Sequence, residues 1–145
     1  MIDLNRQAEL RDAIEQVYFA YRAFTDGPDR ILARRGLGRV HHRILYFVGR
    51  HPGISVKGLL AVLAVSKQAV NAPLRQLTEM RLVEATAGED RRVRQLVLTE
   101  EGHRLEAELT GVQMRLMEEA FATAGPASET GWRIVTAALA RMERG

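Results

Sequence analysis

Apolar side chains recur at helical spacing near the start of the chain. Leu10, Ile14, Val17, Tyr18, Tyr21 and Phe24 share one face, and Asp26-Gly27-Pro28-Asp29 then breaks the pattern. A second helix is predicted from near Gly38 to Arg50, with Val40, Ile44, Phe47 and Val48 inward. His51-Pro52-Gly53 ends it, because proline disfavours helical geometry in the residue before it. Ser55 is placed to cap a short third helix through Leu63, and Ser66 a fourth ending near Leu82; each hydroxyl can accept from a free amide of the first turn. Two short capped helices with a tight joint around Ala64 and Val65 match a helix-turn-helix, although the usual glycine of the turn is absent. The period then changes to two. Val83, Ala85 and Ala87 alternate with polar neighbours, Gly88-Glu89-Asp90-Arg91-Arg92 is polar and turn-like, and Arg94, Leu96 and Leu98 resume the alternation. This predicts a two-stranded hairpin with a charged tip, marginal by itself and obliged to lean on the helices. Thr99 caps a further helix whose apolar positions Leu105, Leu109, Val112 and Leu116 continue to Phe121. After Gly125-Pro126, Ser128 is expected to cap a last helix carrying Trp132, Val135, Leu139 and Met142 on one stripe.

Charge changes this picture more than composition does. The hydrophobic and charged fractions, 46% and 27%, are those of an ordinary folded chain. The net charge of +3 is unevenly spread. From Arg34 to Arg104 there are thirteen Lys/Arg against six Asp/Glu, a net of +7, while the two flanks carry eight against twelve, a net of −4. A basic module between acidic ends suits a polyanionic partner. The absence of cysteine removes disulfides, thiolate metal sites and thiol redox sensing. No signal peptide is visible at Met1-Ile2-Asp3-Leu4-Asn5-Arg6, and the longest apolar run, Leu59 to Val65, is far short of the ~18 residues of a membrane span, so a cytoplasmic protein without a membrane partner is expected. Apolar terminal helices on so short a chain predict a partner surface, with a second copy of the chain as its occupant.

Asp90-Arg91-Arg92 followed by Leu96-x-Leu98-Thr99-Glu100-Glu101-Gly102 closely resembles the wing and following helix start of the MarR family of bacterial transcription regulators. The segment Ser66 to Val83 is similar to that family's recognition helix and its exit into the wing. Element order agrees over nearly the whole chain, and motif detail from Ser66 to Gly102. The resemblance implies a mainly α fold with a small β-hairpin wing. The winged helix-turn-helix would lie at residues 31–104, between dimerisation helices at 1–30 and 105–145. It further implies a homodimer on a pseudo-palindromic operator in double-stranded DNA, usually repressing, and release of DNA by a small, often aromatic or phenolic, ligand. Half-sites about one helical turn apart are expected for such a dimer.

The candidate readers follow from helical geometry. With Val70, Leu74 and Leu77 buried, Gln68, Asn71, Ala72 and Arg75 face outward at about 100° per residue. Gln and Asn can read adenine bidentately and Arg can read guanine, while Lys67 beside the cap is placed for phosphate. The plain alternative is a solvated polar face. Ala72 stands where the resembled family often has Arg. Pro73, inside the fourth helix, forfeits a bond to the Ala69 carbonyl, so the helix either continues with a kink or restarts with Asn71 as a local cap. On the wing, Arg91, Arg92 and Arg94 are candidates for DNA contact, since a narrow minor groove attracts guanidinium groups. By resemblance Arg92 is the residue that enters the groove, and Asp90 braces the wing through an ion pair.

Other chemistry is thin. Tyr18, Tyr21, Phe24, Tyr46 and Phe47 are candidates for a ligand crevice at the junction of the first and second helices, and their plainer reading is core. Met114 and Met117 read as interface filler. His41 and His42 diverge by about 100° on a helix and cannot easily share an ion; with His51 and His103 they are read as ordinary polar residues, and neither metal nor cofactor is expected. There is no P-loop, dinucleotide fingerprint, nucleophile elbow or zinc-protease motif, so an enzyme is not expected. The competing function is a non-specific architectural DNA binder, distinguished by a low ratio of specific to non-specific affinity.

Overall fold

A computed structural model describes residues 1–90 and 92–143. Six helices and three short strands follow in the order α1 (Leu4–Ala33), α2 (Arg39–Arg50), β1 (Ile54–Ser55), α3 (Val56–Leu63), α4 (Lys67–Glu79), β2 (Val83–Ala87), β3 (Arg94–Leu98), α5 (Glu100–Ala124) and α6 (Ser128–Arg141). The architecture is the expected winged helix-turn-helix flanked by long terminal helices. Its core gathers Leu32, Ile44, Leu45, Val48, Leu59, Val70, Leu77, Leu82, Val83, Leu96, Leu105 and Leu109, so one apolar cluster joins α2–α4, the sheet and the start of α5.

The largest departure from expectation is α1, which runs straight through Gly27 and Pro28. Proline at this position removes the amide that would bond the Phe24 carbonyl. That carbonyl instead accepts from Gln113 Nε2 of α5, at 3.3 Å. Glycine is needed for the same crossing, because a Cβ on Gly27 would lie 2.7 Å from Val112 Cγ1. The Gly-Pro pair is thus the point where α1 and α5 approach closely, and not a turn. Pro73 is likewise contained in a continuous α4 and does not restart it. Ala69, whose carbonyl Pro73 leaves free, is exposed, so water can serve it.

Ser55, Ser66 and Thr99 cap α3, α4 and α5 as expected, accepting from Gly58, Ala69 and Gly102 amides at 3.0, 3.2 and 3.0 Å. Ser128 does not cap α6. It is the first helical residue, Ala127 occupies the cap position, and the Ser128 hydroxyl donates to the Gly125 carbonyl. Between α3 and α4 the turn is made by Ala64 in the left-handed conformation, φ 54°, where a glycine would be unstrained. The helix α4 ends three residues before Leu82. Arg81 takes φ 58°, and the Leu82 amide reaches back to the Leu77 carbonyl at 2.9 Å, an arrangement in which glycine is the usual left-handed residue.

The predicted hairpin forms, pairing β2 with β3 with Val83 opposite Leu98 and Ala85 opposite Leu96. Two-residue β1, which periodicity could not reveal, adds a third antiparallel strand through Ile54 and Leu96. The start of α5 is pinned under the end of α4. Thr99 Oγ1 donates to the Arg81 carbonyl at 2.7 Å, the Thr99 amide donates to the Leu82 carbonyl, and Gly102 lies so close to Leu82 that no Cβ fits. The Leu-Thr-x-x-Gly pattern is the sequence trace of this junction.

The crossing of α1 and α5 can be tested directly. Gln113→Leu strands the Phe24 carbonyl and should lower unfolding free energy by about 1 kcal/mol, read as a lower urea midpoint. In a Pro28→Ala background the missing amide returns and the Gln113→Leu loss should disappear; an equal loss in both backgrounds contradicts the assignment.

Candidate nucleic-acid interface

The face of α4 turned away from the core is mainly polar. Lys67, Gln68, Asn71 and Arg75 are all exposed, as is Ala72, while Val70 and Leu77 on the opposite face are buried and Leu74 is half-buried. The three predicted base readers and Lys67, predicted for phosphate, therefore share one solvent face of a helix whose start is fixed by the Ser66 cap. None of them is held in an ion pair among the described residues.

The wing follows directly from the end of α4. Asp90 Oδ1 accepts from the Arg92 amide at 3.0 Å and lies 3.5 Å from Arg92 Nε, and the Asp90 carbonyl accepts from the Val93 amide at 2.9 Å. Asp90 thus organises the turn through main-chain bonds as well as the ion pair. The Arg92 side chain is 92% exposed, and Arg94 is exposed at the start of β3. Arg91 lies outside the described residues.

A second feature sits between the terminal helices and α2. A cavity of about 540 Å³ is bounded by α1, α2, α5 and α6. Tyr21, Phe24, Tyr46 and Phe47 line it, together with Met114 and Met117. Tyr18 does not; it lies nearly one turn earlier on α1, exposed, with Arg22 over its ring. The periodicity that grouped Tyr18 with Tyr21 follows one helix face and carries no information about where along that face a cavity begins. The polar lining was not foreseen. Arg39 donates to Asp29 at 2.9 Å and stands over the Tyr21 ring, and the bond to Asp29 raises its pKa above the ordinary value. Arg43 donates to the Tyr21 hydroxyl at 2.7 Å and has no carboxylate partner among the described residues. The only hint of this cluster was the four-residue spacing of Arg39 and Arg43, which places them on one face of α2.

His42, buried in the cavity wall, lies 3.4 Å from Thr110 Oγ1 of α5. Burial lowers its pKa from the ordinary value; Glu106 and Asp29 oppose the shift and Arg43 adds to it. His41 lies on another side of α2, and its Nδ1 accepts from the Gly38 amide. His51 and His103 are exposed.

Comparison with known proteins agrees with this arrangement. A profile described as MarR family matches residues 35–93. The HTH-type transcriptional regulator PetP of Rhodobacter capsulatus is 46% identical over 132 residues, covering 90% of this chain and 80% of PetP. The chain belongs to the MarR family. This is a family of helix-turn-helix transcription regulators, not of enzymes. Solved MarR-family structures share the fold at low identity. The S. aureus MepR–DNA complex superposes with TM-score 0.72 at 16% identity, covering 89% of this chain and 96% of that one. Staphylococcus aureus MarR in complex with salicylate and kanamycin does so with TM-score 0.73 at 16% identity, covering 99% and 100%.

The His42 environment has a pH consequence. Its imidazole binds a proton less readily in the folded MarR-family protein than in the unfolded chain, so its contribution to stability is full above the ordinary value of about 6.5 and is lost as pH falls below it. Replacing it by glutamine should flatten the acid limb of a stability–pH curve below about pH 6.5. An unchanged limb would show that His42 is protonated as easily in the folded protein as in the unfolded one.

Proposed function

We propose that this protein is a homodimeric, sequence-specific DNA-binding repressor of the cytoplasm, released from a pseudo-palindromic operator by a small aromatic acid. The observation that carries the DNA reading is the outer face of α4, where Lys67, Gln68, Asn71 and Arg75 stand exposed and, among the described residues, free of ion pairs, opposite the buried Val70 and Leu77. In this reading Gln68, Asn71 and Arg75 contact base edges in the major groove, and Lys67 contacts phosphate. Arg92, Arg94 and Arg91 serve the adjacent minor groove, with Asp90 bracing the tip. The winged helix-turn-helix occupies residues 31–104.

Dimerisation through residues 1–30 and 105–145 is supported by what the terminal helices leave uncovered. Apart from Val62, Val65 and Val93, every large apolar side chain exposed among the described residues lies on α1, α5 or α6 or at their ends. Ile14, Val17, Phe19, Ile134, Val135 and Leu139 are all more than half exposed, and α6 buries no residue at all. A helical segment with no tertiary partner is marginal in water. A second copy of the same chain, pairing these stripes, supplies the missing partner. No helix among the described residues is long and apolar enough to cross a membrane.

The decisive measurement is titration of the operator, recovered by selection from random duplexes, with sedimentation to give stoichiometry. Two chains per duplex are expected, with preference over random duplex. Equal affinity for both favours the architectural binder, and one chain per duplex removes the dimer. Arg92→Ala should weaken operator binding by about 1–3 kcal/mol, and Lys67→Ala should lower the salt slope by about one. Unchanged affinity, or an unchanged slope, removes the residue concerned from the interface.

The cavity supports the effector. Its volume is in the range of small-molecule sites, five aromatic rings stand in its walls beside the carboxylates of Asp29, Glu118 and Glu129, and Arg43 offers a cation with no carboxylate partner among the described residues. A planar aromatic carboxylate fits that combination, and salicylate is the probe. Salicylate should release the wild-type protein from its operator, and Arg43→Met should raise the concentration needed by about tenfold, one good charge-assisted bond. No release at any soluble concentration rejects an aromatic acid, and equal release from both proteins rejects Arg43 as its partner.

A further inference from the structure

A helix that reads bases must be fixed in two respects: its distance from the body of the protein and its rotation about its own axis. Burial of Val70 and Leu77 secures the first. It secures the second poorly, because apolar contact is non-directional. A rotation of about 20° moves a side-chain tip about 6 Å from the axis by about 2 Å, enough to break a bidentate base contact.

Among the described residues, one set of directional side-chain bonds joins α4 to the rest of the chain. The Gly38 amide donates to His41 Nδ1 at 2.9 Å, which places the proton of the neutral ring on Nε2. That Nε2 lies 2.9 Å from Gln76 Oε1 and so donates to it. Gln76 Nε2 in turn donates to the Gly36 carbonyl at 3.3 Å. Every donor and acceptor in the series is oriented by its neighbour, so the amide of Gln76 can adopt one orientation only. The series reaches 35 residues along the chain in one bond and 40 in the other, and it clamps Gln76 between the first turn of α2 and the loop before it. Among the described residues no other side chain of α4 bonds outside its own helix and cap. Gln76 follows Arg75 immediately, so holding one fixes the angular position of the other at about 100°.

We propose that Gln76 is a positioning residue for base reading: tied to His41 and Gly36, it sets the rotation of α4 and thereby the direction in which Gln68, Asn71 and Arg75 point. The inference rests on the proposed reading of DNA by α4. Gln76 itself touches no base; it acts through α2. Half-buried and directional, the tie supplies orientation where the apolar core supplies adhesion.

The test compares operator with random duplex for the wild-type dimer and three variants: Gln76→Met, His41→Phe and the double substitution. Gln76→Met, close to isosteric, should reduce the operator-to-random affinity ratio about tenfold, the loss of one bidentate base contact. Affinity for random duplex and its salt slope should stay as in wild type, because phosphate contacts tolerate small rotations. His41→Phe should lower the ratio similarly, and the double variant should lose no more than either single one. Gln76→Glu retains an acceptor for His41 Nε2 but loses the donor to the Gly36 carbonyl, and should recover part of the ratio, whatever its added charge does to overall affinity. Should His41→Phe fail to fold, the Gln76→Met and Gln76→Glu pair still decides. A ratio within twofold of wild type for Gln76→Met overturns the inference, and so do additive losses in the double variant, which would make Gln76 a direct base contact. A wild-type protein that does not distinguish operator from random duplex overturns the underlying function instead.

Discussion

Everything between α4 and α5 depends on how tightly two backbones are pressed together at Leu82 and Gly102. Gly102 lies against the Leu82 carbonyl with no room for a Cβ, and Thr99 bonds the Arg81 carbonyl with its hydroxyl and the Leu82 carbonyl with its amide. This contact holds Arg81 in a left-handed conformation that is unfavourable for a side chain bearing a Cβ. It ends α4 in a defined place, starts β2 in register with β3, and aims α5 away from the winged module. The hairpin would not be stable alone; here its inner face, Val83, Leu96 and Leu98, is part of the same core that receives Leu77 and Leu105.

A second close approach organises the other half of the molecule. At Gly27 the α1 backbone meets Val112, and one turn of helix is completed from outside by Gln113. Because α1 continues unbroken, its N-terminal half projects beyond the core and leaves its apolar stripe uncovered. The same continuity brings Tyr21, Phe24 and Asp29 alongside α2 and so creates the cavity wall. An aromatic-lined cavity and an uncovered apolar helix are therefore two results of one packing decision. The first turn of α2 stands between the cavity and α4, with Arg39 and His42 on the cavity and His41 bonded to α4.

Much of the winged module is legible in the sequence. Caps at Ser55, Ser66 and Thr99, the change of period at Val83 and the glycine of Leu-Thr-x-x-Gly are local signals, each tied to a backbone group within a few residues. The outward face of α4 was legible for the same reason, since helical geometry alone separates Gln68, Asn71 and Arg75 from Val70 and Leu77. The misreadings have a common origin. Gly27-Pro28 carries the local signature of a turn, and only the supply of a donor from residue 113 allows a helix instead. Strand β1 is too short to have a period and exists because Leu96 is beside it. Tyr18 and Tyr21 are indistinguishable by spacing, and the path of α2 and α5 past α1 admits one to the cavity and leaves out the other.

Sequence by itself determined the order of the helices and of the hairpin strands, the caps at Ser55, Ser66 and Thr99, the basic character of the central module and the residues that α4 turns to solvent, because each of these is decided by backbone propensity and side-chain period over distances of one or two helical turns. Tertiary structure decided whether α1 breaks or continues, which aromatics enclose a space, and how α4 is rotated against α2. Those outcomes depend on donors, acceptors and carbon atoms that come from residues 35 to 89 positions away and are brought within a few ångströms only when the core closes.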